Sequence, residues 1–168
     1  MSLASGHPMN PIRRQVMLGA VAAVVSSAMD QAMATAIESH LPTTDSLPRD
    51  LAMALERGHP LLVMVSLDGC PFCKIARENY LVPLQREQGL PIVQIDMRGR
   101  QLVQGFNGPQ QTQEGLSRSW AIKVAPTVLF FGRGAQEVAE RLVGGYLPDF
   151  YGAYLDERVR RARASLHS

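Results

Sequence analysis

Cysteine is scarce in this chain. Cys70 and Cys73 are the only two among 168 residues, so any thiol chemistry belongs to that one pair. Histidine offers little for a metal site: His7, His40, His59 and His167 are scattered without ligand spacing, and zinc takes about four ligands. No bound metal is expected. An excess of one charge is also missing. The net charge is +2, too small to argue for a nucleic-acid partner. The apolar run from Val16 to Val25 falls short of the roughly 20 residues that span a membrane. Internal repeats and low-complexity tracts are absent, which suggests one globular domain plus an extension. Hydrophobic residues make up 46% of the chain, enough to build a core.

The first 34 residues read as a targeting segment. A polar start leads to Arg13-Arg14, then to the short apolar run, then to Ala32-Met33-Ala34 as a small-x-small cleavage site. Positive n-region, apolar h-region and such a site describe a secretory signal peptide. The paired arginines resemble a twin-arginine signal, although Ile12 stands where that motif has Ser or Thr and Val16 where it has Phe. A general secretion signal serves equally well, and an uncleaved anchor is the alternative. Either route puts the mature chain in the periplasm, where disulfide chemistry is at home. Residues 35–45 read as a flexible lead-in.

Chemistry concentrates at Asp68-Gly69-Cys70-Pro71-Phe72-Cys73-Lys74. A continuous apolar run, Leu61 to Leu67, precedes it, as for a strand buried on both faces. A helical pattern follows. The first cysteine therefore falls at a helix N-terminus, where unpaired N–H groups and the helix dipole favour a thiolate. A thiolate is the nucleophile of disulfide exchange. Pro71 suits the first helical position, and the spacing brings Cys73 within reach of Cys70. A purely structural disulfide across so short a loop constrains the unfolded chain little.

The rest of the chain supplies regular elements. Ser46 caps a helix over Pro48 to Arg57, and the redox helix runs from Pro71 to Glu87 with Pro83 expected to kink or break it. Strands are predicted at Pro91 to Met97, Ala125 to Gly132 and, after a turn at Arg133-Gly134, Glu137 to Val143. Gln101 to Phe106 reads as a short strand or arm, and Thr112 caps a helix through Trp120. A final helix opens at Pro148 with Phe150, Tyr154, Leu155 and Val159 as its apolar face. Its Arg158, Arg160, Arg161 and Arg163 read as a solvated face.

This β-α-β-α-β-β-α order, with Cys-x-x-Cys after the first buried strand, resembles thioredoxin. Val124 to Phe131 resembles the cis-proline loop of that family and Gly144-Gly145 its glycine region. The resemblance spans roughly Leu47 to Val159. It implies an α/β thioredoxin-like fold, a central mixed sheet flanked by helices, over residues 46–163 with a short tail at 164–168. Arg98 to Gln111 forms a longer loop before the cis-proline strand than small thioredoxins carry. That loop, Glu78 to Pro83, and Arg141 to Tyr146 resemble periplasmic thioredoxin-like proteins of the SoxW kind.

The resemblance implies a thiol–disulfide oxidoreductase that reduces protein disulfides, Cys70 attacking and Cys73 resolving. Pro71, Phe72 and Lys74 support the pair. Pro126 is implied to be cis, with the backbone of Ala125 pairing with an extended substrate strand. Phe106 reads as a loop or core residue, with substrate contact as the alternative. No cofactor beyond the redox disulfide is implied. The partners are protein thiol or disulfide substrates and a periplasmic or membrane thiol redox protein. A monomer is expected, since a dimeric isomerase carries a separate dimerisation domain. The chain departs from cytoplasmic thioredoxins in three places: Gly69 replaces the tryptophan, Met64 the buried aspartate and Ile92 its lysine partner. A disulfide-donating oxidase and a redox-inert binding module of the same fold are the alternatives. A metal chaperone is weaker for lack of nearby ligands.

Overall fold

The computed structural model describes residues 40–145 and 148–167, with the side chains of 148 and 149 left aside. The predicted signal peptide, its cleavage site and residues 35–39 lie outside the described residues.

Helix α1, Leu47–Glu56, begins where Ser46 Oγ accepts the Arg49 N–H. Strand β1, Leu61–Ser66, is buried along its whole length. It divides its side chains between two cores. Leu62 and Met64 join one cluster, and Leu61, Val63 and Val65 join the other. Burial on both faces explains why the run is uninterruptedly apolar. Its five apolar residues contribute on the order of 10 kcal/mol before chain entropy is counted.

The redox helix starts as α2, Pro71–Ala76, passes through a π-helical turn, Arg77–Leu81, and continues as α3, Val82–Gln88. Pro83 does not break it. In the wide turn the Val82 N–H donates to the Arg77 carbonyl, five residues back. Shifting the bonding register in this way accommodates a residue that lacks an N–H. Strand β2, Ile92–Asp96, runs parallel to β1. The long loop folds into a hairpin of β3, Leu102–Gln104, and β4, Gln110–Thr112, forming its own two-stranded sheet. Helix α4, Gln113–Ser119, is capped by Thr112 as predicted. Strand β5, Thr127–Phe131, is antiparallel to β1.

The predicted strand over Glu137 to Val143 shrinks to β6, Leu142–Val143. A 3-10 turn at Arg133–Ala135 and a single bridge between Phe131 and Glu137 occupy the rest of the return. There Arg141 leaves the ladder to bind Glu137 and the Trp120 carbonyl. The main sheet has the order β2-β1-β5-β6 and is mixed.

Helix α5, Pro148–Ala164, buries Tyr151, Leu155, Val159 and Ala162. The predicted apolar face was offset at its start: Phe150 is 57% exposed and Tyr154 47%. The 3.6-residue period carried back from Leu155 selects Tyr151 instead. Arg158 pairs with Glu140, and Arg160 and Arg161 both pair with Glu157.

Both ends of the domain are tied down further than the sequence suggests. Residues 41–44 are not a free lead-in, because Pro42 and Thr44 exchange backbone hydrogen bonds with Gln94 and cover the edge of β2. Leu41 and Thr44 are each 3% exposed. The tail also packs: Leu166 is 7% exposed and its carbonyl accepts from Arg133.

Candidate functional site

The sheet brings the site residues to one end. Strand β1 ends at Ser66, opposite Asp96 at the end of β2. Strand β5 runs the other way, so Val65 stands opposite Thr127, where β5 begins. The segment leaving β1 therefore meets the segment entering β5. Cys70 and Cys73 lie on the first, and Ala125 and Pro126 on the second.

The turn into α2 is fixed by backbone chemistry. Cys70 N–H donates to the Leu67 carbonyl at 3.2 Å. Asp96 Oδ2 accepts the Asp68 N–H at 2.9 Å, and its Oδ1 accepts the Arg98 N–H at 2.7 Å. Gly69 has a φ of +70°, a left-handed conformation that any side chain strains, although a Cβ would meet nothing within 4 Å. The conformation, not crowding, accounts for glycine where the resemblance puts tryptophan.

Cys70 is the N-cap of α2, with Pro71 in the first turn. The Cys73 N–H donates to Cys70 Sγ at 3.1 Å. The two sulfurs are joined in a disulfide, with the Cα atoms 5.3 Å apart. Cys70 is half-buried, whereas Cys73 is 1% exposed. This asymmetry leaves one sulfur accessible and encloses the other.

The Ala125–Pro126 peptide is cis. Cys70 Sγ lies 3.9 Å from the Ala125 carbonyl oxygen, and the Gly144 N–H donates to the Pro126 carbonyl at 2.8 Å. A Cβ placed on Gly145 would sit 3.4 Å from Phe72 Cβ and 3.7 Å from Pro126 Cγ. The glycine region thus closes over the rim of the site. Phe72 and Ile75 are 43% and 41% exposed, so apolar surface borders the disulfide. Lys74 is exposed and lines a pocket of ≈ 510 Å³ together with Cys70, Asp68, Gln94 and Asp96.

Phe106 is not brought to this site. Its ring packs on Phe131, centroids 4.7 Å apart, in the core on the opposite face from Cys73. Met64 and Ile92 are 0% and 1% exposed in the cluster that contains Cys73, so the positions of the replaced ion pair are apolar.

Sequence reasoning missed Asp96 and Gln113. Gln113 is 2% exposed, and its Oε1 accepts the Asp96 N–H at 2.8 Å. Its backbone N–H donates to the Gln101 carbonyl at 3.0 Å, which ties the hairpin to the sheet. The one available signal was position: Asp96 closes a strand of a sheet whose carboxyl ends carry the site.

The profile of the thioredoxin-like domain matches residues 47–158. The chain belongs to the thioredoxin-like family, and its Cys-x-x-Cys disulfide makes it a thiol–disulfide oxidoreductase. Among solved structures, a Fasciola hepatica thioredoxin superposes with a TM-score of 0.51 at 15% identity, covering 73% of this chain and 99% of that one. Mitochondrial thioredoxin 3 from Saccharomyces cerevisiae gives 0.50 at 12% identity, covering 73% and 96%. A DsbH oxidoreductase gives 0.49 at 16% identity, covering 74% and 88%. Among curated proteins no sequence matches this chain.

Proposed function

We propose that the protein is exported to the periplasm and there reduces disulfides of other proteins, in the manner of SoxW-type thioredoxins. The observation that carries the reaction is the half-exposed Cys70 at a helix N-terminus, backed by a fully enclosed Cys73. Export is read from Arg13-Arg14, the short apolar run and Ala32-Met33-Ala34.

The cycle starts from the dithiol. Cys70 thiolate attacks one sulfur of the substrate disulfide, the substrate S–S bond breaks, and the leaving thiolate takes up a proton. Cys73 then loses its proton and attacks Cys70 Sγ. The mixed disulfide breaks, the second substrate thiol is released, and the Cys70–Cys73 disulfide forms. A thiol redox partner restores the dithiol with two electrons. Ala125 offers its backbone to the substrate strand, Pro126 shapes that loop, and Phe72 supplies apolar contact. Pro71 sets the helix start, and Lys74 adds positive charge near the thiolate. The chemistry runs on the disulfide alone, without a further cofactor, and the protein works as a monomer.

Direction rests on a modest electrostatic balance. Asp68 opposes a thiolate at Cys70, Lys74 favours it, and no histidine lies inside the motif to add stabilisation. A strong oxidant needs an unusually stabilised reduced form. The test is the equilibrium potential of the pair against glutathione, together with two variants. Cys70→Ser abolishes exchange, and Cys73→Ser accumulates mixed disulfides visible on non-reducing gels. A potential at the strong-oxidant end, near about −120 mV, would reverse the direction. Wild-type protein inert toward every model disulfide would favour the binding-module reading.

A further inference from the structure

The pocket of ≈ 510 Å³ beside Cys70 is separate from the cis-proline loop, since neither Ala125 nor Pro126 lines it. It is walled by the redox turn, the redox helix and the end of β2. Four of the residues that line it, His40, Asp68, Lys74 and Gln101, are exposed, so a solute can enter from water. Its volume suits a small molecule.

Two cations line this pocket from one stretch of helix. Lys74 and Arg77 stand three residues apart, the spacing of neighbours on a helix surface. Neither makes an ion pair among the described residues, whereas Arg49, Arg118, Arg141 and Arg158 each hold a carboxylate. The side-chain bond that Arg77 does make is long, 3.4 Å from Nη1 to Gln94 Oε1. The carboxylates of the pocket are not engaged with either cation. Each oxygen of Asp96 accepts a backbone N–H, one from Asp68 and one from Arg98. Asp68 is exposed, where water screens its charge.

We propose that this pocket selects low-molecular-weight disulfides that carry a carboxylate near the sulfur, held by Lys74 and Arg77 while Cys70 reacts. The proposal rests on the redox chemistry of the cysteine pair, not on export or on protein clients. Cys70 thiolate attacks one sulfur, the S–S bond of the small disulfide breaks, and one acidic thiol leaves with a proton from water. Cys73 then gives up its proton and attacks Cys70 Sγ, which releases the second acidic thiol. The protein dithiol is oxidised and the small disulfide is reduced to two thiols. Run backwards, two acidic thiols reduce the protein disulfide.

The test follows oxidation of the reduced full chain by three disulfides of similar size. Dithiodipropionate is anionic, hydroxyethyl disulfide neutral and cystamine cationic. Samples are quenched with acid, and reduced and oxidised protein are separated by chromatography. Each rate constant is divided by that of dithiothreitol with the same disulfide, which removes the reactivity of the probe. Comparing probes within one protein cancels any change in the Cys70 thiol itself. Dithiodipropionate is expected to exceed hydroxyethyl disulfide by about tenfold, with cystamine slowest. Lys74→Gln and Arg77→Gln each cut that preference at least about threefold, and Asp68→Asn enlarges it. Lys123→Gln removes an exposed cation that does not line the pocket and leaves the preference unchanged. A preference that survives both pocket variants, or falls as far in Lys123→Gln, overturns the proposal. Equal normalised rates for all three disulfides overturn the pocket alone, whereas reaction with none of them overturns the redox chemistry as well.

Discussion

Replacing Gln113 by Met tests whether the buried amide holds the end of β2 and, through Asp96, the turn before Cys70. Met keeps the length and nearly the volume of Gln, so little cavity or strain is introduced. What disappears is the acceptor for the Asp96 N–H, a 2.8 Å bond made by a side chain only 2% exposed. A buried donor left without a partner costs about 1–3 kcal/mol. The Nε2 contact to Gln101 Oε1, at 3.4 Å, is long and adds little. A loss of about 2 kcal/mol lowers the urea midpoint of the oxidised protein by about 1 M. Because Asp96 also accepts the Asp68 N–H, Gln113→Met and Asp96→Ala are not additive. A double-mutant cycle gives a coupling of at least about 0.5 kcal/mol. Circular dichroism against urea measures both quantities. A midpoint shift under about 0.3 M would show that the Asp96 N–H finds another acceptor, and strict additivity that the network does not reach the redox turn.

The tail and the buried tyrosine give two further outcomes. Leu166→Ala lowers stability by about 2–3 kcal/mol, read from the same urea curves, because Leu166 is 7% exposed and packs on the chain at Gly132. A truly free tail would show no change. Burial, with a smaller contribution from Tyr80, raises the ionisation of Tyr151 above its ordinary value of 10.0. Its contribution is therefore complete below about pH 10 and declines above it, where the unfolded chain loses the phenolic proton and the folded one keeps it. The decline approaches about 1.4 kcal/mol per pH unit, and it disappears in Tyr151→Phe. Parallel alkaline unfolding curves for the two proteins would refute it.

The order of elements was legible because each strand and helix announces itself locally. Leu61 to Leu67 has no polar interruption, and Ser46 and Thr112 stand at caps that form. Cys70 could be placed at a helix start from the strand before it and Pro71 after it. What stayed hidden depends on contacts far apart in sequence. The Asp96 to Asp68 bond spans 28 residues, and nothing near either one foretells it. Pro83 argues for a break by local rules, yet a single wide turn absorbs it. The stretch from Glu137 to Val143 reads as a strand, although the chain at Val138 forms one backbone bond to Phe130 and then leaves the ladder. Phe150 and Tyr154 look like core by type, whereas Tyr151, packed against Tyr80 with centroids 4.9 Å apart, joins Leu155 and Val159 on the face of α5 that turns inward.

The apolar positions beside Cys73 bear on how the second step of exchange runs. Met64 and Ile92 fill the places where a carboxylate and its lysine are absent, and both are buried with Cys73 in one cluster. A carboxylate there would take the proton of the resolving thiol. Among the described residues, a pocket bordered by Asp68, Lys74 and Asp96 opens beside the disulfide. Cys73 itself does not line that pocket; Cys70 does. In the proposed cycle the Cys73 proton therefore has to leave by a route other than a carboxylate at those two positions.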